Sequence, residues 1–153
     1  MRPGELYWSF IEPIWDLVSI YDGPEVFLSQ FAKLPEVQQH LFAAHWCQSE
    51  IRNGGHHQFF SNATGVLAPE AVEGFRAIGL SRCADTVGQA MRFFGSTYPR
   101  EEDVREEALA AFERRDPENW DPFTELDALF FDAIEDDGFD KAADSYAATA
   151  GVA

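Results

Sequence analysis

The residue types best suited to chemistry lie close together in the first half of the chain. Four histidines, a cysteine and a glutamate fall between positions 40 and 57: His40, His45, Cys47, Glu50, His56 and His57. Imidazole, thiolate and carboxylate groups are common ligands of zinc, and imidazole also exchanges protons near neutral pH. Two hypotheses follow: a metal site formed by Glu50, His56 and His57, and acid–base chemistry at His57 with Glu50 or Asp85.

The spacing of these residues argues against the metal site, and the absence of known catalytic motifs argues against acid–base chemistry. Ligands on one helix share a face when they are three or four residues apart, but His40 and His45 are five apart, and His56 and His57 are adjacent. The sequence also has no nucleophile elbow, phosphate loop or paired Cys-His motif. We therefore predict no metal, no cofactor and no enzymatic activity, with His40 paired to Glu36 and His45 in the core.

The polar residues around Asn53-Gly54-Gly55 are better explained by a structural role. This tripeptide follows a long helical pattern, and glycine readily adopts the left-handed backbone that ends a helix. Polar side chains nearby can satisfy the backbone groups left open between two helices. We predict a structural motif that comprises Glu50, Asn53, Gly54, Gly55, Gln58, Phe59, Phe60 and Asn62.

Carboxylates are the second chemical feature of the chain. The sequence holds 27 acids and 11 bases, a net charge of −16. Residues 99–153 account for 17 of the acids and 5 of the bases, a net charge of −12. Such a field disfavours nucleic acid and anionic membranes as direct partners and favours basic proteins. Solubility alone is the simpler explanation of the same charge.

The order of the acids favours a binding role. Glu102 with Glu106, and Asp103 with Glu107, are like-charge pairs four residues apart, and each pair costs a few tenths of a kcal/mol. Carboxylates several ångströms apart can stand in for the phosphates of DNA. The predicted partner-binding residues are Glu101, Glu102, Asp103, Glu106, Glu107, Asp132, Glu135, Asp136 and Asp137.

Helical periodicity runs through most of the chain, and no strand alternation or internal repeat is visible. We predict an all-α fold, a single domain over residues 1–153 with about eight helices. Its central buried helix spans about 35–52. The other predicted helices span 5–21, a short segment from Pro24, 71–78, 82–94, 100–115, 122–136 and 139–149, with a loop between Gly65 and Pro69 and a frayed end over 150–153.

Composition also predicts where the protein acts. No apolar run reaches the ~20 residues that a membrane span needs, and the start of the chain lacks the apolar region of a signal peptide. Cys47 and Cys83 fit apolar helical patterns, so we predict two reduced core cysteines and a cytoplasmic protein. For a homodimer contact, the candidate exposed aromatic residues are Trp8, Tyr98 and Trp120.

The chain resembles a bacterial family of domains of unknown function in the motif Glu50-Ile51-Arg52-Asn53-Gly54-Gly55, followed by Gln58-Phe59-Phe60 and Asn62. The likeness extends from about Leu34 to Tyr146, and the family includes a DNA-mimic protein described from Neisseria. The resemblance implies an all-helical fold. For the mimic, it implies an acidic dimer that occupies the DNA-binding surface of a transcription regulator in place of operator DNA.

Three functional hypotheses result. The first is an acidic, DNA-mimic-like protein that binds a basic DNA-binding protein, such as a transcription regulator. The second is an immunity protein that blocks the basic cleft of a nuclease toxin through the same acids. The third is a metal protein or enzyme that uses Glu50, His56 and His57.

Overall fold

The protein is built from eight α-helices within residues 1–150, the part of the chain that the computed structural model describes. They are α1 (Glu5–Ile11), α2 (Pro24–Phe31), α3 (Glu36–Ser61), α4 (Ala68–Ile78), α5 (Ser81–Met91), α6 (Glu102–Arg115), α7 (Thr124–Ile134) and α8 (Gly138–Ala150). No strand occurs in this range, so the predicted all-α, single-domain fold is confirmed. Of the predicted frayed end over residues 150–153, Ala150 is instead the last residue of α8, and residues 151–153 lie outside the described range.

Helix α3 is the centre of the fold, as predicted. It packs against α1, α4, α6, α7 and α8. Its contact with α4 is close because Gly74 of α4 has no side chain. A Cβ at this position would lie only 2.6 Å from the carbonyl oxygen of His40. The helix also extends nine residues beyond the predicted end, because it restarts after an interruption at Gly54 and Gly55.

Two segments differ from the sequence expectation. The predicted first helix ends at Ile11, and a 3₁₀ helix follows over Glu12–Leu17, because Pro13 has no amide hydrogen and its ring clashes with an α-helical turn. The predicted loop after Gly65 is instead part of a 3₁₀ helix, Ala63–Leu67, that leads directly into α4.

The core is formed by one continuous cluster of buried apolar residues. Cys47 and Cys83 lie in it as free, buried thiols, as the sequence predicted. Burial raises the pKa of Cys83 to about 12, so this side chain remains a neutral thiol at neutral pH. In residues 1–150, none of the helices combines the length and the apolar character of a membrane span.

Candidate functional site

The interruption of α3 is a sharp kink at two glycines. Gly55 has φ 74° and ψ 179°, a left-handed backbone that glycine adopts without steric cost. A Cβ at this position would also lie 2.5 Å from the Asp127 carboxylate. Glycine is therefore required at position 55 by backbone conformation and by space, and the helix resumes at His56.

Glu50 links the two halves of α3. Its Oε2 accepts hydrogen bonds from Gln58 Nε2 at 2.8 Å and from Asn62 Nδ2 at 3.0 Å. Asn53 Nδ2 donates to Gln58 Oε1 at 3.1 Å, and a Cβ at Gly54 would overlap the Gln58 side chain. These contacts bring the polar residues of the motif into one network, which we call the Glu50 hub.

The restarted half of α3 is held by a buried histidine. The Asp127 Oδ1 atom accepts the backbone N–H of His56 at 2.8 Å and lies 2.5 Å from His56 Nδ1. On the other side of the ring, His56 Nε2 lies 3.1 Å from Thr86 Oγ1. This contact ties the kink to α7 through Asp127 and to α5 through Thr86.

The order Asp127, His56, Thr86 resembles that of a hydrolase triad, but the site is closed. His56 is 0% exposed and Thr86 is 4% exposed, so no substrate can reach the threonine hydroxyl. Thr86 Oγ1 also donates to the Cys83 carbonyl oxygen at 2.9 Å, which leaves no free hydroxyl hydrogen for transfer to His56. This arrangement therefore stabilises the kink.

The other three histidines contact different parts of the protein. His40 Nδ1 lies 2.8 Å from the Tyr146 hydroxyl, and its Nε2 lies 3.9 Å from the predicted partner Glu36. His57 packs edge-on against Trp120, with ring centres 4.8 Å apart. Among the described residues, no group of three or more His, Cys, Asp or Glu side chains is arranged to hold a metal ion.

His45 lies in an aromatic cluster beside α1. Its ring centre is 5.8 Å from that of Tyr7 and 5.3 Å from that of Trp8, and the Tyr7 hydroxyl is 2.9 Å from His45 Nδ1. Burial lowers the pKa of His45 to about 4. The side chain is therefore neutral at pH 7, and its Nδ1 shares a hydrogen bond with the Tyr7 hydroxyl.

Arg105 is a buried basic residue within the acidic sequence of α6. It is the only basic residue between Glu101 and Glu113, and its side chain is 0% exposed. Its guanidinium donates to the carbonyl oxygens of Phe60 at 3.0 Å and Asn62 at 2.7 Å, and also to those of Pro99 and Arg100. Burial lowers the pKa of Arg105, while nearby tyrosine and glutamate side chains oppose that shift. Arg105 thus fastens α6 to the end of α3.

The five predicted acids of α6 and its N-cap are all exposed: Glu101, Glu102, Asp103, Glu106 and Glu107. Glu107 is paired with Arg114 at 2.8 Å. The other four form no ion pair in the part of the chain that the structure describes, and we call Glu101, Glu102, Asp103 and Glu106 the α6 acids. These four carboxylates face solvent and are available to a partner.

In the second predicted group, residues 132–137, two of the four acids are paired with a basic residue. Asp132 pairs with Arg82 at 2.7 Å, and Asp137 pairs with Lys141 at 3.3 Å. Glu135 and Asp136 are exposed and form no ion pair within residues 1–150; their φ angles are 24° and 42°. This group lies beside α5 and α8, whereas α6 packs on α3. The α6 acids are therefore the stronger candidate for binding.

The three aromatic residues predicted for a homodimer contact differ in their exposure to solvent. Trp8 and Trp120 are 37% and 43% exposed. Tyr98, however, donates its hydroxyl to the Gly65 carbonyl oxygen at 2.6 Å, and its ring packs on Phe60. Burial raises the pKa of Tyr98. Tyr98 is thus part of the core packing, and its prediction as an exposed contact is wrong.

Sequence reasoning missed Asp127 and Arg105. Asp127 binds a backbone group at the α3 kink and Arg105 binds one at the end of α3, although the paired residues are 71 and 45 positions apart in the chain. One signal was present for Arg105, because it is the only basic residue between Glu101 and Glu113. No local signal marks Asp127 among the many acids of the C-terminal third.

Comparison with models of known protein families gives a match over most of the chain. The model of a family described as DMP19-like protein matches residues 32–150, a range that includes the kink, the Glu50 hub and both groups of acids. No curated protein and no solved structure matches the chain significantly.

Proposed function

Because the chain belongs to the DMP19-like protein family, the family of a DNA-mimic protein from Neisseria, we propose that it binds a basic DNA-binding protein in place of DNA. A transcription regulator is the proposed class of partner. The proposed action is non-enzymatic and cytoplasmic. It requires no cofactor, no membrane and no direct contact with nucleic acid.

The exposed, unpaired α6 acids carry this proposal. Residues four apart on a helix are separated by about 6 Å along its axis, so Glu102 and Glu106 carry charges several ångströms apart, the same order as the roughly 3.4 Å between phosphates along the axis of one DNA strand. A lysine- or arginine-rich surface that neutralises phosphates would find similar charge here. A partner can therefore recognise this surface without reading a base sequence.

Glu106 supports a binding role more strongly than its neighbours do. Glu102 and Asp103 lie in the first turn of α6, where the helix dipole stabilises carboxylates. Glu106 lies beyond that turn and four residues from Glu102, so its charge costs a few tenths of a kcal/mol. The buried Arg105 cation offsets part of that repulsion. A binding role explains why the remaining cost is tolerated.

Two variants with equal net charge test whether the position of the charge matters. The first, E101Q/E102Q/E106Q, removes three of the α6 acids. The matched control, E12Q/E25Q/E73Q, removes three exposed acids from other helices, and both raise the net charge from −16 to −13. Each protein is used to capture partners from native cell extract, followed by elution in a salt gradient.

We expect a DNA-binding protein to be captured by the native chain and by the control. The α6 variant should bind at least about tenfold more weakly, and its affinity should fall less steeply with salt, because fewer counterions are exchanged. Equal losses in both variants would show that only total charge matters and would contradict the proposal. Capture of a nuclease instead would favour the immunity-protein hypothesis.

A further inference from the structure

A groove beside the α6 acids combines aromatic rings with carboxylates. A cavity of about 290 Å³ is lined by two tryptophans, a tyrosine and an aspartate. A second cavity, of about 310 Å³, shares that tyrosine and reaches two glutamates. We call the two together the aromatic groove, and its defining residues are Trp15, Asp16, Tyr21, Trp46, Glu50 and Glu102.

The aromatic wall of the groove is preorganised. Trp15 and Trp46 stack with ring centres 5.0 Å apart and an interplanar angle of 22°, and Trp8 packs behind Trp15 at 5.3 Å. Tyr21, which lines both cavities, is 75% exposed and forms no aromatic pair among residues 1–150. Such rings attract cations to their faces at distances within about 6 Å.

The charges along the groove are all negative. Asp16 and Glu102 are exposed, and neither forms an ion pair in the described part of the chain. At Glu50, Oε2 accepts both bonds of the hub, and Oε1 has no hydrogen-bond donor within residues 1–150. The lining of the two cavities includes no lysine or arginine. The groove is therefore complementary to a cation with a flat or apolar body.

We propose that the aromatic groove binds an arginine side chain from a flexible basic segment of the partner protein; the inference rests on the proposed function for the class of that partner. A guanidinium group stacks on aromatic rings and forms paired hydrogen bonds with carboxylates, which an ammonium group does less well. Both cavities are close to the lower limit of small-molecule pockets, about 300 Å³. This size suits single side chains of an extended peptide.

Indole N–H signals in NMR spectra of the full-length protein test the inference directly. The chain has four tryptophans, and a Trp→Phe variant of each assigns its signal. The probe is the peptide acetyl-Gly-Arg-Gly-Arg-Gly-amide. We expect saturable shifts at Trp15 and Trp46 and none at Trp120, which packs on His57 outside the groove. The lysine version of the peptide should bind roughly three- to tenfold more weakly.

Tyr21→Ala provides the matching substitution. Because Tyr21 is 75% exposed, the variant should fold normally and bind the arginine peptide roughly fivefold more weakly. Leu17→Ala is the control, since Leu17 is 60% exposed and lines neither cavity. It should leave the peptide affinity unchanged.

Several outcomes separate this inference from the proposed function. Peptide-induced shifts of α6 amides without shifts of Trp15 and Trp46 would overturn the groove and leave the α6 proposal intact. Indole shifts together with partner capture that ignores the α6 substitutions would support the groove and contradict the α6 proposal. Equal binding of a neutral peptide with glutamine in place of arginine, or indole shifts on concentrating the protein alone, would overturn the groove.

Discussion

The α3 kink and the exposed side of α6 place charged groups in opposite ways. At the kink, Asp127 is bonded to His56, and Glu50 is bonded to Gln58 and Asn62. On α6, four carboxylates face solvent without an ion pair in the described part of the chain. Polar groups that are satisfied internally specify one structure, whereas unpaired surface charges remain available to a partner.

Arg105 connects the two regions. It belongs to α6 in sequence, but its guanidinium donates to the carbonyl oxygens of Phe60 and Asn62 at the end of α3. The buried cation also lies near Glu102 and Glu106, so it reduces their mutual repulsion. The buried cation thus lowers the cost, in folding free energy, of placing Glu102 and Glu106 on the same helix. Substitutions in each region test this difference between them.

Arg105→Met should cause the largest loss of stability. It removes the donors for four carbonyl oxygens, and we expect the free energy of unfolding to fall by about 4 kcal/mol. Urea unfolding measures the change. Arg114→Met is the control, because Arg114 pairs with Glu107 on the surface and its loss should cost at most about 0.5 kcal/mol. Similar losses in both variants would mean that Arg105 is not the structural link described above.

Gly55→Ala should destabilise by about 3 kcal/mol, because alanine is strained at this φ angle and its Cβ would displace Asp127. The matched control is Gly88→Ala in α5, where a Cβ meets nothing within 4 Å. That change should stabilise the protein by about 0.5 to 1 kcal/mol. Thermal or urea unfolding of the two variants measures both effects. The changes in the free energy of unfolding must have opposite signs, and a change of the same sign in both would contradict the prediction.

Acid should destabilise the folded protein through His45, which lies in the aromatic cluster beside α1 and away from both regions. The pKa of an unfolded histidine is about 6.5, and burial lowers that of His45 to about 4. Because the folded-state pKa is the lower of the two, the stabilisation is complete above about pH 6.5 and is lost as the pH falls toward 4. At pH 5 the expected loss is about 2 kcal/mol.

Urea unfolding of the native protein and of His45→Phe at pH 7.5 and pH 5 measures this contribution. The substitution should remove roughly 2 kcal/mol of the difference between the two pH values. An unchanged difference in His45→Phe would assign the acid sensitivity to other groups.

Glu106→Gln should have the smallest effect on stability. Glu106 is exposed and lies four residues from Glu102, so neutralising it should change the free energy of unfolding by less than about 0.5 kcal/mol, with a small gain as the favoured sign. A loss greater than 1 kcal/mol, seen in the same urea assay, would show that this acid has a structural partner and would remove the contrast between α6 and the kink.

The fold was largely predictable, because helices follow from the spacing of apolar residues along the chain. Proline and glycine located most helix ends, although the first helix ends at Ile11, before Pro13, and not at the predicted residue 21. The Glu50 hub was also within reach of sequence reasoning, since Gln58 and Asn62 follow within 12 residues. The contacts of Asp127 and Arg105 were not, because they join helices distant in sequence.

The sequence by itself determined the helical class, the glycine interruption and the excess of acids in the last third, because each depends on residue type and local spacing. Only the tertiary structure decided which charges are used internally. It buried Arg105, paired Asp132 with Arg82 and left the α6 acids facing solvent. The pairing of a charge depends on the neighbouring helix that approaches it, and the packing of the whole core sets that approach.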